Sequence, residues 1–80
     1  MAVKYTKLKH IRIKREMTQA DLAEKSGVPL KTIQAYESRV RDINHMTLEN
    51  AYKLARALNC RMESLMDLER ITIPNEGIVQ

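Results

Sequence analysis

Three side chains in this sequence have the types that catalysis or metal binding requires: His10, His45 and Cys60. Their spacing supports neither chemistry. They stand far apart, with no paired-ligand pattern of the zinc kind. His10 lies among lysines, where a surface position is expected. His45 falls in an irregular stretch and can reach a phosphate. Cys60 reads as a small core hydrophobe with no base beside it in sequence. With only two Gly in the chain, there is no glycine-rich phosphate loop. The expectation is no enzyme, no catalytic residue, no metal, no cofactor and no small-molecule ligand.

The cations make the stronger signal. The net charge is +4, but it is unevenly spread. Residues 1–41 hold ten Lys or Arg against four acids, +6; residues 42–80 hold four against six, −2. A basic half favours a polyanionic partner. Charge alone also fits an ordinary solvated basic face.

The elements that must position these cations follow from composition and pattern. Eighty residues make one small domain, and such a chain buries only about 60–65% of its unfolded surface. Hydrophobic residues total 44% and there is no Phe or Trp, so Leu, Ile, Met and Ala must build the core. Low Gly and Pro content points to helices. The five Met add plasticity. A single cysteine permits no internal disulfide, which favours a reducing compartment. No apolar run approaches the about 18–20 residues of a membrane span, and no signal pattern opens the chain. These features place the protein in the cytoplasm.

The stretch from Thr18 to Arg39, TQADLAEKSGVPLKTIQAYESR, organises the rest. Thr18 can cap a first short helix, with Asp21 completing a capping box. Leu22 and Ala23 give that helix an apolar stripe. Gly27 ends it, because glycine enters the left-handed conformation freely. Pro29 fixes φ where a second helix begins. Ile33 and Tyr36 give the second helix a buried side, with Lys31, Thr32, Gln34 and Ala35 on other faces. Two helices crossing through a Gly-containing turn form a helix-turn-helix, a layout whose second helix can enter a DNA major groove.

Around this stretch the pattern predicts three more helices. The first runs from about residue 4 to 15, with Tyr5, Leu8, Ile11 and Arg12 inward and lysines outside. A membrane-surface role for it is disfavoured by its narrow apolar face. Residues 39–46, RVRDINHM, form an irregular segment from which Ile43 and Met46 tuck into the core. Thr47 caps a fourth helix carrying Leu48, Ala51, Leu54, Ala55 and Leu58, with Asn59 at its end. A fifth short helix spans about residues 62–69, with Met62, Leu65, Met66 and Leu68. Residues 70–80, ITIPNEGIVQ with the preceding Arg70, change character. They read as an extended arm that pairs with another subunit, or as an unstructured end.

The fold class is therefore all-α: a compact five-helix domain over residues 1–69 with a short C-terminal extension. This arrangement resembles the phage repressor/Cro family, the XRE-type, lambda-repressor-like helix-turn-helix domain. The residues that carry the resemblance are LKHIRIKREMTQADLAEKSGV, KTIQAYE, TLENAYKLARALNC and MESLMDL, from about Leu8 to Leu68. The ordered set is specific where no single position is.

The resemblance implies roles. Gln19 would contact a phosphate and brace the third helix. Leu30, Lys31, Thr32 and Ala35 match positions that face base edges, with Gln34 beside them. Lys31 suits guanine, Gln34 adenine, and Leu30 or Ala35 a thymine methyl. Ser38, Arg39 and Arg41 match the segment that grips the phosphate backbone. Arg12 and Glu37 match a structural ion pair between the first and third helices. Three positions depart from the family pattern. Pro29 stands where a Ser or Thr cap is usual, Leu30 and Ala35 are apolar, and Arg39 replaces a frequent Gly. Readout then leans on Lys31, Gln34 and DNA shape.

The implied function is sequence-specific binding of double-stranded DNA, as a small homodimeric transcriptional regulator. The alternatives are a protein-interaction module, such as an antitoxin or adaptor with a protein partner, and a non-specific DNA binder.

Overall fold

A computed structural model describes residues 5–67 of the 80-residue chain. Within them, four α-helices occur in the order α1 (Lys7–Lys14), α2 (Gln19–Ser26), α3 (Leu30–Glu37) and α4 (Leu48–Leu58). Two 3₁₀ turns follow α3 and α4, at Ile43–His45 and Met62–Leu65. There is no strand among the described residues.

Local chemistry fixes most of the boundaries. Thr18 caps α2: its hydroxyl accepts the Asp21 N–H, and the Asp21 carboxylate accepts the Thr18 N–H, both at 3.0 Å. Each of these donors would otherwise lack an intrahelical partner. The exposed Asp21 carboxyl is held below its usual range, first by the Thr18 N–H and then by the Thr18 hydroxyl. Gly27 closes the helix at φ 81°. Thr47 caps α4 through the Asn50 N–H, and Asn59 ends it in the left-handed region at φ 55°.

The first helix begins later than its pattern suggests. Thr6 accepts the Lys9 N–H at 3.1 Å and is itself buried, so α1 starts at Lys7. Tyr5 therefore lies before the helix. It is 54% exposed, not inward, and the Lys9 ammonium sits over its ring at 4.1 Å. Leu8 and Arg12 are buried, and Ile11 packs against the core.

The fifth helix is a correction. Residues 62–65 form a 3₁₀ turn, with Ser64 and Met66 donating to carbonyls three residues back. Arg61 supplies no side-chain cap, and so short a segment gains little from α geometry. The remainder of that expected helix, and the arm or unstructured end expected beyond it, lie outside the described residues. The segment between α3 and α4 is likewise more regular than expected. Its 3₁₀ turn drops Ile43 into the core.

One core unites these elements. Leu8, Leu22, Val28, Ile33, Leu54, Leu58 and Leu65 are almost wholly buried, with Tyr36, Ile43, Ala55 and Ala57 around them. Met17, Met46, Cys60 and Met62 fill its margins. Helix α2 is central, packing against both α3 and α4. Cys60 is only partly buried; desolvation raises its thiol pKa, opposed by Arg15. No helix among the described residues is long and apolar enough to cross a membrane.

Candidate nucleic-acid interface

Helix α3 presents two unlike faces. Ile33 and Tyr36 turn inward, and the Glu37 side chain is only 3% exposed. Lys31, Gln34 and Ser38 are exposed, Thr32 and Ala35 are half-buried, and Leu30 is 39% exposed. The helical period puts residues 30, 31, 34, 35 and 38 on one outer side. Of the expected base-facing residues, Leu30, Lys31, Gln34 and Ala35 thus share this side, and Thr32 turns away from it, half-buried. Hydrogen-bond donors there are few: Lys31, Gln34 and Ser38. Pro29 precedes the helix without a side-chain cap. Its fixed φ of −58° enters the helix without strain, while the first-turn N–H groups keep no side-chain acceptor.

A carboxylate hub holds that face in place. Arg12 donates from Nε to Glu37 Oε2 at 2.7 Å and from Nη2 to Oε1 at 3.0 Å. Its Nη1 donates to the Met17 carbonyl at 2.7 Å. The Gln19 amide donates to Glu37 Oε1 at 3.0 Å. One acid on α3 is thereby tied to α1 and to the start of α2, and the arginine also fixes the bend between them. Among the described residues, no buried side-chain N or O lacks a hydrogen-bond partner. Gln19 acts here as a brace from a half-buried position, its amide committed to Glu37.

The chain turns sharply after α3. Arg39 adopts φ 67°, the left-handed region that a glycine would occupy at no steric cost. This gives a physical reason for glycine at that position. The Arg41 N–H then closes the helix on the Ala35 carbonyl at 3.1 Å. The Arg41 guanidinium lies 6.0 Å from the Tyr36 ring centre. Ser38 donates back to the Ala35 carbonyl at 3.3 Å, so its hydroxyl is partly engaged. Arg39 Nη1 lies 3.5 Å from Asp67 Oδ2.

Three positioning contacts escape sequence reasoning. Arg15 donates to the Leu58 and Asn59 carbonyls, closing the end of α4 from α1. Asn44 clasps the backbone of Asp67: its Oδ1 accepts the Asp67 N–H at 2.7 Å, and its Nδ2 donates to the Asp67 carbonyl at 3.0 Å. Asp67 in turn reaches Arg39. All three join residues far apart in the chain through polar atoms, and hydrophobic periodicity carries no signal for such pairs.

No group of three or more His, Cys, Asp or Glu side chains that could hold a metal ion occurs among the described residues. His45 stays exposed and pairs with Asp42 at 3.1 Å. Helix α4 and the two 3₁₀ turns enclose an open, mainly apolar groove of about 390 Å³, lined by Ile43, Met46, Leu48, Ala51, Met62 and Met66 together with the polar Asn44 and Glu63. At its rim, Leu48 is 78% and the neighbouring Tyr52 54% exposed.

Comparison with known proteins agrees with this architecture. A family model described as helix-turn-helix matches residues 8–65. The chain is 40% identical over 60 residues to an uncharacterized HTH-type transcriptional regulator of Archaeoglobus fulgidus, covering 75% of this chain and 81% of that protein. No solved structure matches significantly. The match spans α1 through the second 3₁₀ turn, and this chain belongs to the XRE-type helix-turn-helix family.

Proposed function

We propose that the protein is a transcriptional regulator that binds double-stranded DNA in sequence-specific fashion, with α3 in the major groove. One observation carries the reading: the outer side of α3 exposes Lys31 and Gln34, with Ser38 just beyond it, while the Glu37 hub fixes the helix to α1 and α2. A rigid, solvent-facing helix of this kind suits a groove about 12 Å wide. Lys31 and Gln34 read base edges, Leu30 and Ala35 meet thymine methyls, and Thr32 contacts a base or phosphate. Arg39, Arg41 and Ser38 hold the backbone beyond the helix, and Gln19 joins them at the start of α2. Titration of a labelled duplex with the full chain tests this. Lys31→Ala with Gln34→Ala should weaken binding about tenfold or more. Unchanged affinity in that variant would remove α3 from the contact.

The regulator acts as a homodimer on a pseudo-palindromic site. Two copies place their α3 helices about 34 Å apart, one turn of DNA. The apolar groove and the exposed Leu48 and Tyr52 support pairing of two copies through the α4 side. Sedimentation of wild type against Leu48→Glu tests it, with a shift to monomer expected. A wild-type monomer would instead favour a different protein, as in an antitoxin or adaptor.

A further inference from the structure

We propose that Asp67 is a built-in competitor for the DNA phosphate that Arg39 would bind. The inference deepens the DNA-binding reading and rests on it. Arg39 leaves α3 through a left-handed turn, at φ 67°, and its guanidinium reaches the end of the described domain. There Nη1 lies 3.5 Å from Asp67 Oδ2. The two side chains differ in exposure. Asp67 is 15% exposed, and Asn44 holds its backbone on both the N–H and carbonyl sides. Asn44 is itself anchored, its N–H donating to Asp42 Oδ1 at 2.9 Å beside the buried Ile43. Arg39 is 38% exposed on a long stem. The carboxylate is thus the more buried, backbone-held partner and the guanidinium the more exposed one.

A guanidinium recognises carboxylate and phosphate through the same donors. The contact to Asp67 is long, at 3.5 Å, so it yields to a better-placed anion. Until it yields, Asp67 cancels much of the charge that Arg39 offers to DNA. It also repels a phosphodiester approaching the same spot. Arg39 therefore releases less than one full counterion when it binds. Arg41, two residues on, rests instead near the Tyr36 ring. The two arginines that flank Val40 are consequently unequal in strength.

The test is a double-mutant cycle on the full chain with random-sequence duplex DNA, read across salt concentrations. Asp67→Asn should bind about three- to tenfold tighter at low salt and steepen the log–log salt slope, by no more than about 0.9. Asn44→Ala, which loosens the clasp, should move affinity the same way by less. In an Arg39→Ala background, Asp67→Asn should keep only the smaller gain that comes from removing a like charge, well under half of the gain in the wild-type background. A gain of equal size without Arg39 would reduce the effect to net charge and overturn the proposal. Unchanged or weaker binding by Asp67→Asn, with wild type still binding, would overturn it too. No binding by a folded wild type would overturn the DNA reading itself, and this inference with it.

Discussion

Arg12 Nε donates to Glu37 Oε2 at 2.7 Å between side chains that are 10% and 3% exposed. This pair joins the first helix to the end of the third across 25 residues of chain. Gln19 adds a second donor to the same carboxylate. Removing either charge alone strands the other in a nearly dry site. Arg12→Met and Glu37→Leu should each destabilise by about 2–4 kcal/mol in urea unfolding. The double variant should cost less than the two singles together, because neither charge is then unpaired. Strict additivity would show that the pair does not act as a unit.

Gly27 sits at φ 81° with nothing within 4 Å of where a Cβ would lie. The demand for glycine there is conformational, not steric. Gly27→Ala should lower stability by about 1–2 kcal/mol through the left-handed backbone alone. Equal stability of the two proteins would mean that the turn readjusts.

The capping box makes α2 sensitive to acid. The Asp21 carboxyl titrates below its ordinary value because the charged form accepts from the Thr18 N–H and hydroxyl. A carboxyl with a lowered folded pKa stabilises fully above its unfolded value, near 3.8. That contribution is lost as pH falls through the lower folded value. Asp21→Asn should therefore narrow the stability difference from wild type as pH drops below about 4. The carboxylate is exposed, so salt should shrink the effect. A difference that stays constant from neutral pH down to pH 2 would contradict this.

Lys31 and Arg41 should fail in different ways. Lys31 is an exposed residue on the outer side of α3, and Arg41 follows the turn after it. Lys31→Ala should relax preference at one base pair and cost about 1–3 kcal/mol on the preferred site. Arg41→Ala should weaken all sequences alike and flatten the salt slope by about one. Competition binding on a panel of single-base variants separates the two, and exchanged behaviours would reverse the assigned roles.

Much of this architecture is legible in the sequence, for definite reasons. Thr18, Asp21, Gly27, Thr47 and Asn59 each act within a few residues of their own position, so local chemistry announces the boundaries of α2 and α4. The 3.6-residue spacing of Leu22, Ile33, Tyr36, Leu54 and Leu58 announces the core. Arg12 and Glu37 are legible only as a pattern shared with a family, since nothing local joins them. Tyr5 misleads because an apolar spacing extends past Thr6, whose cap stops the helix. Met62–Leu65 misleads because an apolar pattern spaced for a helix is also satisfied by a single 3₁₀ turn. The Asn44–Asp67 clasp is silent in sequence: an amide gripping a distant backbone leaves no periodic trace. On the candidate interface, residue types are legible but restraint is not. Gln19 and Arg39 read as cations or amides awaiting DNA, yet the fold has already given each a carboxylate.

The central claim is that α3 reads DNA sequence as one of a symmetric pair. Selection of binding sites from random duplex DNA by the full chain, at a fixed salt concentration, tests it most directly. The account predicts a palindromic consensus whose half-sites are centred about ten base pairs apart. Recovery of bound DNA with no enriched sequence, even at low salt, would contradict it.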